Sequence, residues 1–192
     1  MDEDHSLAKR MRAGDPDAYR AFVLRFQSQI FRLCMRTIGH EQEAEDLTQE
    51  VLIRAIKAID HFRGDSSLST WLYRIAVNLC RNRIEYLKRR RQSYQVSYEE
   101  RLHAVRATPT SHALIPGPAD QVESREAIAL VEQALHSLPA DLRSLLILRD
   151  LEHLEYADIS RIMELPLGTV KSRLHRARAL LIETFESQGG ER

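Results

Sequence analysis

Phe62-Arg63-Gly64-Asp65-Ser66-Ser67-Leu68-Ser69-Thr70-Trp71-Leu72-Tyr73-Arg74-Ile75-Ala76-Val77-Asn78-Leu79-Cys80-Arg81-Asn82-Arg83, running on to Lys88-Arg89-Arg90-Arg91, decides how the chain is read. A small, hydroxyl-rich turn leads into a long helix. Leu68, Leu72, Ile75 and Leu79 recur at helical spacing and predict its buried row. Trp71, Arg74, Asn78, Arg81, Glu85 and Lys88 follow i, i+3, i+4 spacing on another face. A face that joins an aromatic ring, an amide and arginines suits a single nucleic-acid strand, because bases stack on rings and phosphates pair with Arg and Lys. The turn from Arg63 to Ser67 can accept an unstacked base and read its edge by hydrogen bonds. It can equally serve as an N-cap through Ser66, Ser67 or Ser69, and the two roles are compatible. Trp71 belongs either to the core or to the nucleic-acid face.

Upstream of this stretch the helical periodicity is nearly continuous and strand signals are almost absent, so an all-α fold is expected. Ser6 to Ala13 reads as a short helix stopped by Gly14. Asp15-Pro16 then supplies an N-cap and a proline at the first helical position. The second helix runs to about Thr37, with Ala18, Phe22, Leu24, Phe26, Ile30, Phe31 and Cys34 as its apolar face, and Gly39 ends it. A third helix spans Glu41 to Ile59. Ala44, Leu47, Val51, Ala55 and Ile59 face inward, and Asp46, Gln49, Glu50, Ile53 and Lys57 form the opposite stripe. Ile53 is either a harmless exposed isoleucine or the anchor of a docking face ringed by polar contacts.

Downstream, the periodicity fails from Gln92 to about Asp120, where Pro109, Pro116, Gly117 and Pro118 mark a linker. Roughly 29 residues is long for a connection inside one compact domain, so two domains are expected. Their bounds are 1–91 and 122–192, with 92–121 between them. In the second domain, Val122 to Leu138 reads as a helix with Ala127, Leu130, Val131 and Leu135 inward, and Pro139 breaks it. A short helix from Leu142 to about Asp150 buries Leu145, Leu146 and Leu148. Tyr156 to Met163, a turn, and a helix from Pro166 to about Glu186 then have the proportions of a helix-turn-helix. Ile159, Ile162, Met163, Leu165, Val170 and Leu174 pack that pair. Lys171, Ser172, His175, Arg176 and Arg178 stay outward, as a solvated basic face or as the residues that meet base edges in a major groove. Glu164 stands in the turn where a glycine is usual.

The whole-chain numbers narrow the class. The 192 residues are 43% hydrophobic and 29% charged, with a formal net charge of zero. Only the distribution of charge points to nucleic acid: acids gather at 41–50, bases at 81–91 and 171–178. Cys34 and Cys80 stand alone, without a CxxC or paired histidines, so buried thiols are expected and neither a disulfide framework nor a metal site. No apolar run reaches the roughly 18 residues of a membrane span. The N-terminus, Met1-Asp2-Glu3-Asp4-His5, lacks a signal-peptide core. A cytoplasmic protein that is not integral to a membrane is expected.

Three segments carry a resemblance. Asp46-Leu47-Thr48-Gln49-Glu50-Val51, the run from Phe62-Arg63-Gly64-Asp65 through Ser69-Thr70-Trp71-Leu72-Tyr73-Arg74-Ile75-Ala76-Val77-Asn78, and Leu165 to Arg178 closely resemble bacterial sigma-70-type sigma factors of the extracytoplasmic-function group. Their order and spacing cover nearly the whole chain outside the linker. The resemblance implies an all-α fold of two small helical domains, sigma region 2 and sigma region 4, joined by a flexible linker. It implies that Asp46, Gln49, Glu50 and Ile53 dock on core RNA polymerase. It implies that Phe62, Arg63, Gly64, Asp65, Ser66, Ser67, Leu68, Trp71, Arg74, Asn78 and Arg81 serve the −10 promoter element, and Thr169, Lys171, Ser172, His175, Arg176 and Arg178 the −35 element. It further implies an anti-sigma partner, often anchored at the inner membrane, a stress-response regulon, no catalytic residues and no cofactor. Zero net charge fits such a protein: acids elsewhere, with contact between the domains, limit DNA binding until polymerase docks.

A stand-alone helix-turn-helix regulator is the nearest rival, but it has no use for the Ile53 stripe and needs a dimer face or sensor domain. A metal-dependent phosphohydrolase built on the acids at 41–50 lacks a converging partner cluster. An adaptor would leave both basic helices idle.

Overall fold

The computed structural model describes residues 2–99 and 120–189, and every described element is helical. The stretch 100–119, the heart of the expected linker, lies outside the described residues. Helix α1 spans Asp2–Arg12, α2 Pro16–Ile38, α3 Glu41–Lys57 and α4 Leu68–Glu99, with a 3-10 turn at Ile59–His61. Helix α5 spans Asp120–Ser137, α6 Ala140–Leu146, α7 Tyr156–Met163 and α8 Leu167–Ser187, with a π-helical turn at Ile147–Leu151. Helix α4 thus continues to Glu99, well into the stretch read as linker.

Local signals set the helix ends. The Asp15 carboxylate accepts from the Asp17 N–H at 2.9 Å, and Pro16 opens α2. Gly39 closes it at φ 75°, donating its N–H to the Met35 carbonyl. At the start of α4 the Ser67 hydroxyl accepts from the Thr70 N–H at 3.1 Å. A second acceptor there comes from far away in sequence: the Asp4 carboxylate takes the Leu68 N–H at 2.8 Å and pairs with Arg25 at 3.0 Å. Arg12 adds bonds to the Ile59 and Phe62 carbonyls. Helix α1 therefore pins the loop before α4, with Asp4 and Arg12 as its contacts.

Helices α1 to α4 form the first unit. Phe22, Phe26, Leu33, Leu47, Val51, Leu72, Tyr73 and Ala76 are all but inaccessible to solvent. Burying each of the larger apolar side chains contributes about 1.5–3 kcal/mol. Cys34 and Cys80 are buried free thiols whose Sγ atoms lie 3.8 Å apart. The expected rows need some amendment. Leu24 and Val131 were both expected to be buried but are exposed, and Ile75 is half-buried. Leu130 is half-buried and Leu135 buried, while the Ala127 side chain lies outside the described residues.

Helices α5 to α8 form the second unit around Leu145, Ile147, Leu148, Ile159, Val170 and Leu174. It packs against α2 and α4 of the first through α5, α6, α7 and the π-helical turn. The His136 ring fills the space beside Gly39, 2.6 to 3.0 Å from where a Cβ would stand. Burial holds the His136 pKa below its ordinary value of 6.5, and the Arg143 charge adds to this. As pH falls through 6.5 the unfolded chain takes up a proton that the folded imidazole resists. Stability is then lost on acidification, and the loss levels off below the depressed folded value. His136→Gln should flatten that part of the profile, measured as urea midpoints between about pH 7.5 and 5.

Candidate nucleic-acid interface

The turn from His61 to Ser66 and the first turns of α4 enclose an open cleft of ≈ 320 Å³, lined among others by Arg63, Gly64, Asp65, Ser66, Trp71 and Arg74. Gly64 takes φ 79° with the His5 ring packed on it, so no Cβ could be placed there. The geometry divides the candidate residues of this stretch. Arg63 and Asp65 are exposed, and Ser66, Ser67 and Gly64 are half-buried. Phe62 and Leu68 are buried. Loop closure turns both side chains toward the core, and Phe62 still borders the cleft. Ser67 spends its hydroxyl on the cap of α4. Trp71 packs toward the core and also borders the cleft. Half-buried, it stacks at a tilt on Phe62, with ring centroids 5.5 Å apart, while lining the cleft.

Along α4, Arg74 and Asn78 are exposed and Arg81 is half-buried. Arg74 pairs with Glu164 at 2.5 Å and Arg81 with Asp141 at 3.0 Å, both acids coming from the second unit. Tyr73, in the middle of this basic helix, is buried; its hydroxyl donates to Glu152 at 2.6 Å and accepts from Gln29 at 2.5 Å. Burial and the neighbouring carboxylate push the phenol pKa up, so it stays a proton donor. Nothing in the local spacing flagged Glu152, Gln29 or Arg36, because Glu152 meets Arg36 and Tyr73 across the break between units and Gln29 meets Tyr73 from a different helix of the first unit.

On α3, Asp46, Gln49 and Ile53 are exposed and Glu50 is half-buried, tied to Arg54 at 2.5 Å. The helix packs on α2, α4 and the 3-10 turn with its opposite face. This places Asp46, Gln49, Glu50 and Ile53 on one open stripe.

The α7–α8 pair is a helix-turn-helix. Glu164 adopts the left-handed conformation at φ 55° that a glycine would usually supply. The turn is locked by Leu165 N–H donating to the Ser160 carbonyl and Ser160 Oγ–H donating to the Leu165 carbonyl. Val170, Leu174 and Ala177 bury one side of α8. Lys171, Ser172, His175 and Arg176 are exposed on its first turns, and Thr169 is half-buried, accepting from Ser172 through its carbonyl. Arg178 is also exposed, but its guanidinium forks onto Asp150, with contacts of 3.1 and 2.5 Å that raise its pKa further. Among the described residues, no cluster of three or more His, Cys, Asp or Glu could hold a metal ion, and no helix is long and apolar enough to cross a membrane.

Two helical units, one with a loop cleft beside a basic helix and one with a helix-turn-helix, define a two-domain DNA-directed transcription factor. Residues 22–91 match sigma-70 region 2 and residues 128–181 match sigma-70 region 4. The chain is 40% identical over 188 residues to the RNA polymerase sigma-H factor of Pseudomonas aeruginosa, covering 97% of this chain and 95% of that protein. It is 38% identical over 175 residues to the ECF RNA polymerase sigma-E factor of Escherichia coli, covering 91% and 90%. Among solved structures it is similar to the sigma factor RpoE of Bartonella quintana, determined with the anti-sigma factor NepR. There the TM-score is 0.62 at 25% identity, over 88% of this chain and 96% of that one. CnrH, solved with the cytosolic domain of CnrY, shares the fold at TM-score 0.65 and 20% identity, over 96% and 97%. The chain belongs to the sigma-70 family, in its extracytoplasmic-function group. It is a transcription initiation factor that binds core RNA polymerase and directs it to promoters.

Proposed function

We propose a division of labour between two domains, 1–91 and 122–192. The stripe Asp46, Gln49, Glu50 and Ile53 docks on core RNA polymerase. The cleft at Arg63 to Ser66, with Trp71, Arg74, Asn78 and Arg81, takes the −10 element and one flipped base. Lys171, Ser172, His175 and Arg176 read the −35 element, with Thr169 and Arg178 at the edge of that contact. The observation that carries this reading is the pairing of an open Ile53 stripe on one unit with open helix-turn-helix cations on the other. A regulator acting without polymerase has no use for the first.

The chain carries no catalysis of its own in this reading and acts in the cytoplasm. The likeness to RpoE, solved with the anti-sigma factor NepR, supports control by an anti-sigma factor. The regulon is then one released by stress. Run-off transcription with purified core polymerase on promoter libraries tests the assignment, since both elements are read out together. No enrichment of any −10/−35 pair would defeat it. A finer test concerns Arg176, exposed on the third turn of α8. Arg176→Ala should cost about 1–3 kcal/mol on the cognate −35 duplex and relax preference at one base pair. An equal loss on all sequences would make Arg176 a phosphate contact.

A further inference from the structure

The seam between the two units has a consistent polarity. At three places an arginine of the first unit meets a carboxylate of the second: Arg81 with Asp141, Arg74 with Glu164, and Arg36 with Glu152. The last pair differs in kind from the others. Arg74 and Glu164 are both more than half exposed, so that pair is screened and weak. The Glu152 side chain is only 8% exposed. Its Oε1 accepts from Arg36 Nη1 at 2.8 Å and its Oε2 from the Tyr73 hydroxyl at 2.6 Å. Both carboxylate oxygens are therefore held by charge-assisted or phenolic donors from two different helices of the first unit. Glu152 directly follows the π-helical turn and precedes His153, which lies at φ 54°. The backbone bends sharply to deliver it.

We propose that Glu152 is the latch of a shut state of the free protein, in which carboxylates of the second unit stand where nucleic-acid phosphate would otherwise sit. Asp141 and Glu164 add to it by covering the basic face of α4. The idea rests on the reading of Arg74 and Arg81 as promoter contacts, but the latch itself is a property of the free chain. While it is closed, Tyr73 is buried and Arg74 and Arg81 each stand beside a carboxylate of the second unit, so an approaching strand meets those carboxylates together with the cations. The two reading surfaces are also packed together, with Arg161 of the helix-turn-helix bordering the −10 cleft. They cannot then address two promoter elements separated by more than one turn of duplex, about 34–36 Å. Opening requires Arg36 and Tyr73 to give up Glu152. The 20 residues between α4 and α5 are enough chain to permit the separation, since that many can span at most about 66–72 Å.

The test uses the full-length free chain, without polymerase. Small-angle X-ray scattering reads its radius of gyration, and fluorescence anisotropy reads its affinity for a labelled mixed-sequence single-stranded oligonucleotide. Glu152→Arg places like charges against Arg36 and should raise the radius of gyration by several ångströms and the oligonucleotide affinity by tenfold or more. Glu152→Gln should move both in the same direction by less. The exchange Glu152→Arg with Arg36→Glu keeps the net charge of the wild type and should close the chain again. Circular dichroism confirms that each variant is folded. Two results would overturn the proposal: Glu152→Arg as compact as the wild type, or a charge-swapped chain as open as the single variant. Failure of the sigma-factor assignment would look different, as a closed wild type and an opened variant that never support transcription.

Discussion

Ile53→Glu is expected to abolish assembly with core RNA polymerase while leaving the fold and the DNA binding of the second unit unchanged. Ile53 is 51% exposed, so its replacement removes little from the core and creates no cavity. Around it, Asp46 and Gln49 are open to solvent and Glu50 is held by Arg54. That is the arrangement of an apolar anchor inside a polar rim, where binding energy concentrates in the anchor. Docking would force the new carboxylate out of water at the anchor position, leaving only the exposed Lys57 one turn on to offset its charge from the polar rim. A charge buried without full compensation costs about 3–5 kcal/mol, which is a loss of roughly 10²- to 4 × 10³-fold in affinity. Titration of labelled chain with core polymerase measures it, and an unchanged melting temperature verifies the fold. Holoenzyme formation at wild-type affinity would remove α3 from the docking assignment.

Arg143→Ala should lower stability by about 3 kcal/mol or more, the second large effect. Arg143 is a buried cation on α6 that serves carbonyls on both sides of the seam. Its Nη1 donates to the Thr37 carbonyl at 2.5 Å, and its Nη2 donates to the carbonyls of His136 and, at 3.0 Å, Leu138. Alanine leaves those acceptors buried without donors, and each such group costs about 1–3 kcal/mol. It also leaves a cavity where the side chain stood. The Thr37 bond joins the two units, so the variant should unfold in separated steps where the wild type unfolds together. Calorimetry distinguishes the outcomes. A single transition at the wild-type temperature would mean that solvent satisfies all the acceptors.

Much of this architecture was legible from periodicity. The Asp15-Pro16 start and Gly39 stop of α2, the inward row Ala44, Leu47, Val51 and Ala55, and the helix-turn-helix packing of Ile159, Ile162, Val170 and Leu174 all follow from short-range patterns. A helix repeats its face every few residues, so its burial is written locally. The site was less legible. Phe62 and Leu68 looked like members of a reading loop, yet both are buried because the loop folds back over α1. Asp4 carries no signal of its own in the sequence and proves to cap α4. Leu24 and Val131 looked inward and are exposed, since an apolar residue on a helix becomes core only if another element crosses it.

The chain by itself determined two helical units, their recognition helices and the stripe at Ile53, because amphipathic spacing, caps and breakers act over a few residues. Tertiary structure alone decided what Phe62-to-Arg81 faces. It placed Tyr73 against Glu152, Arg74 against Glu164 and Arg81 against Asp141. It also split Trp71 between the core and the cleft. Those partners come from positions 60 or more residues away. No local pattern encodes such a pairing; it forms only when the two units meet.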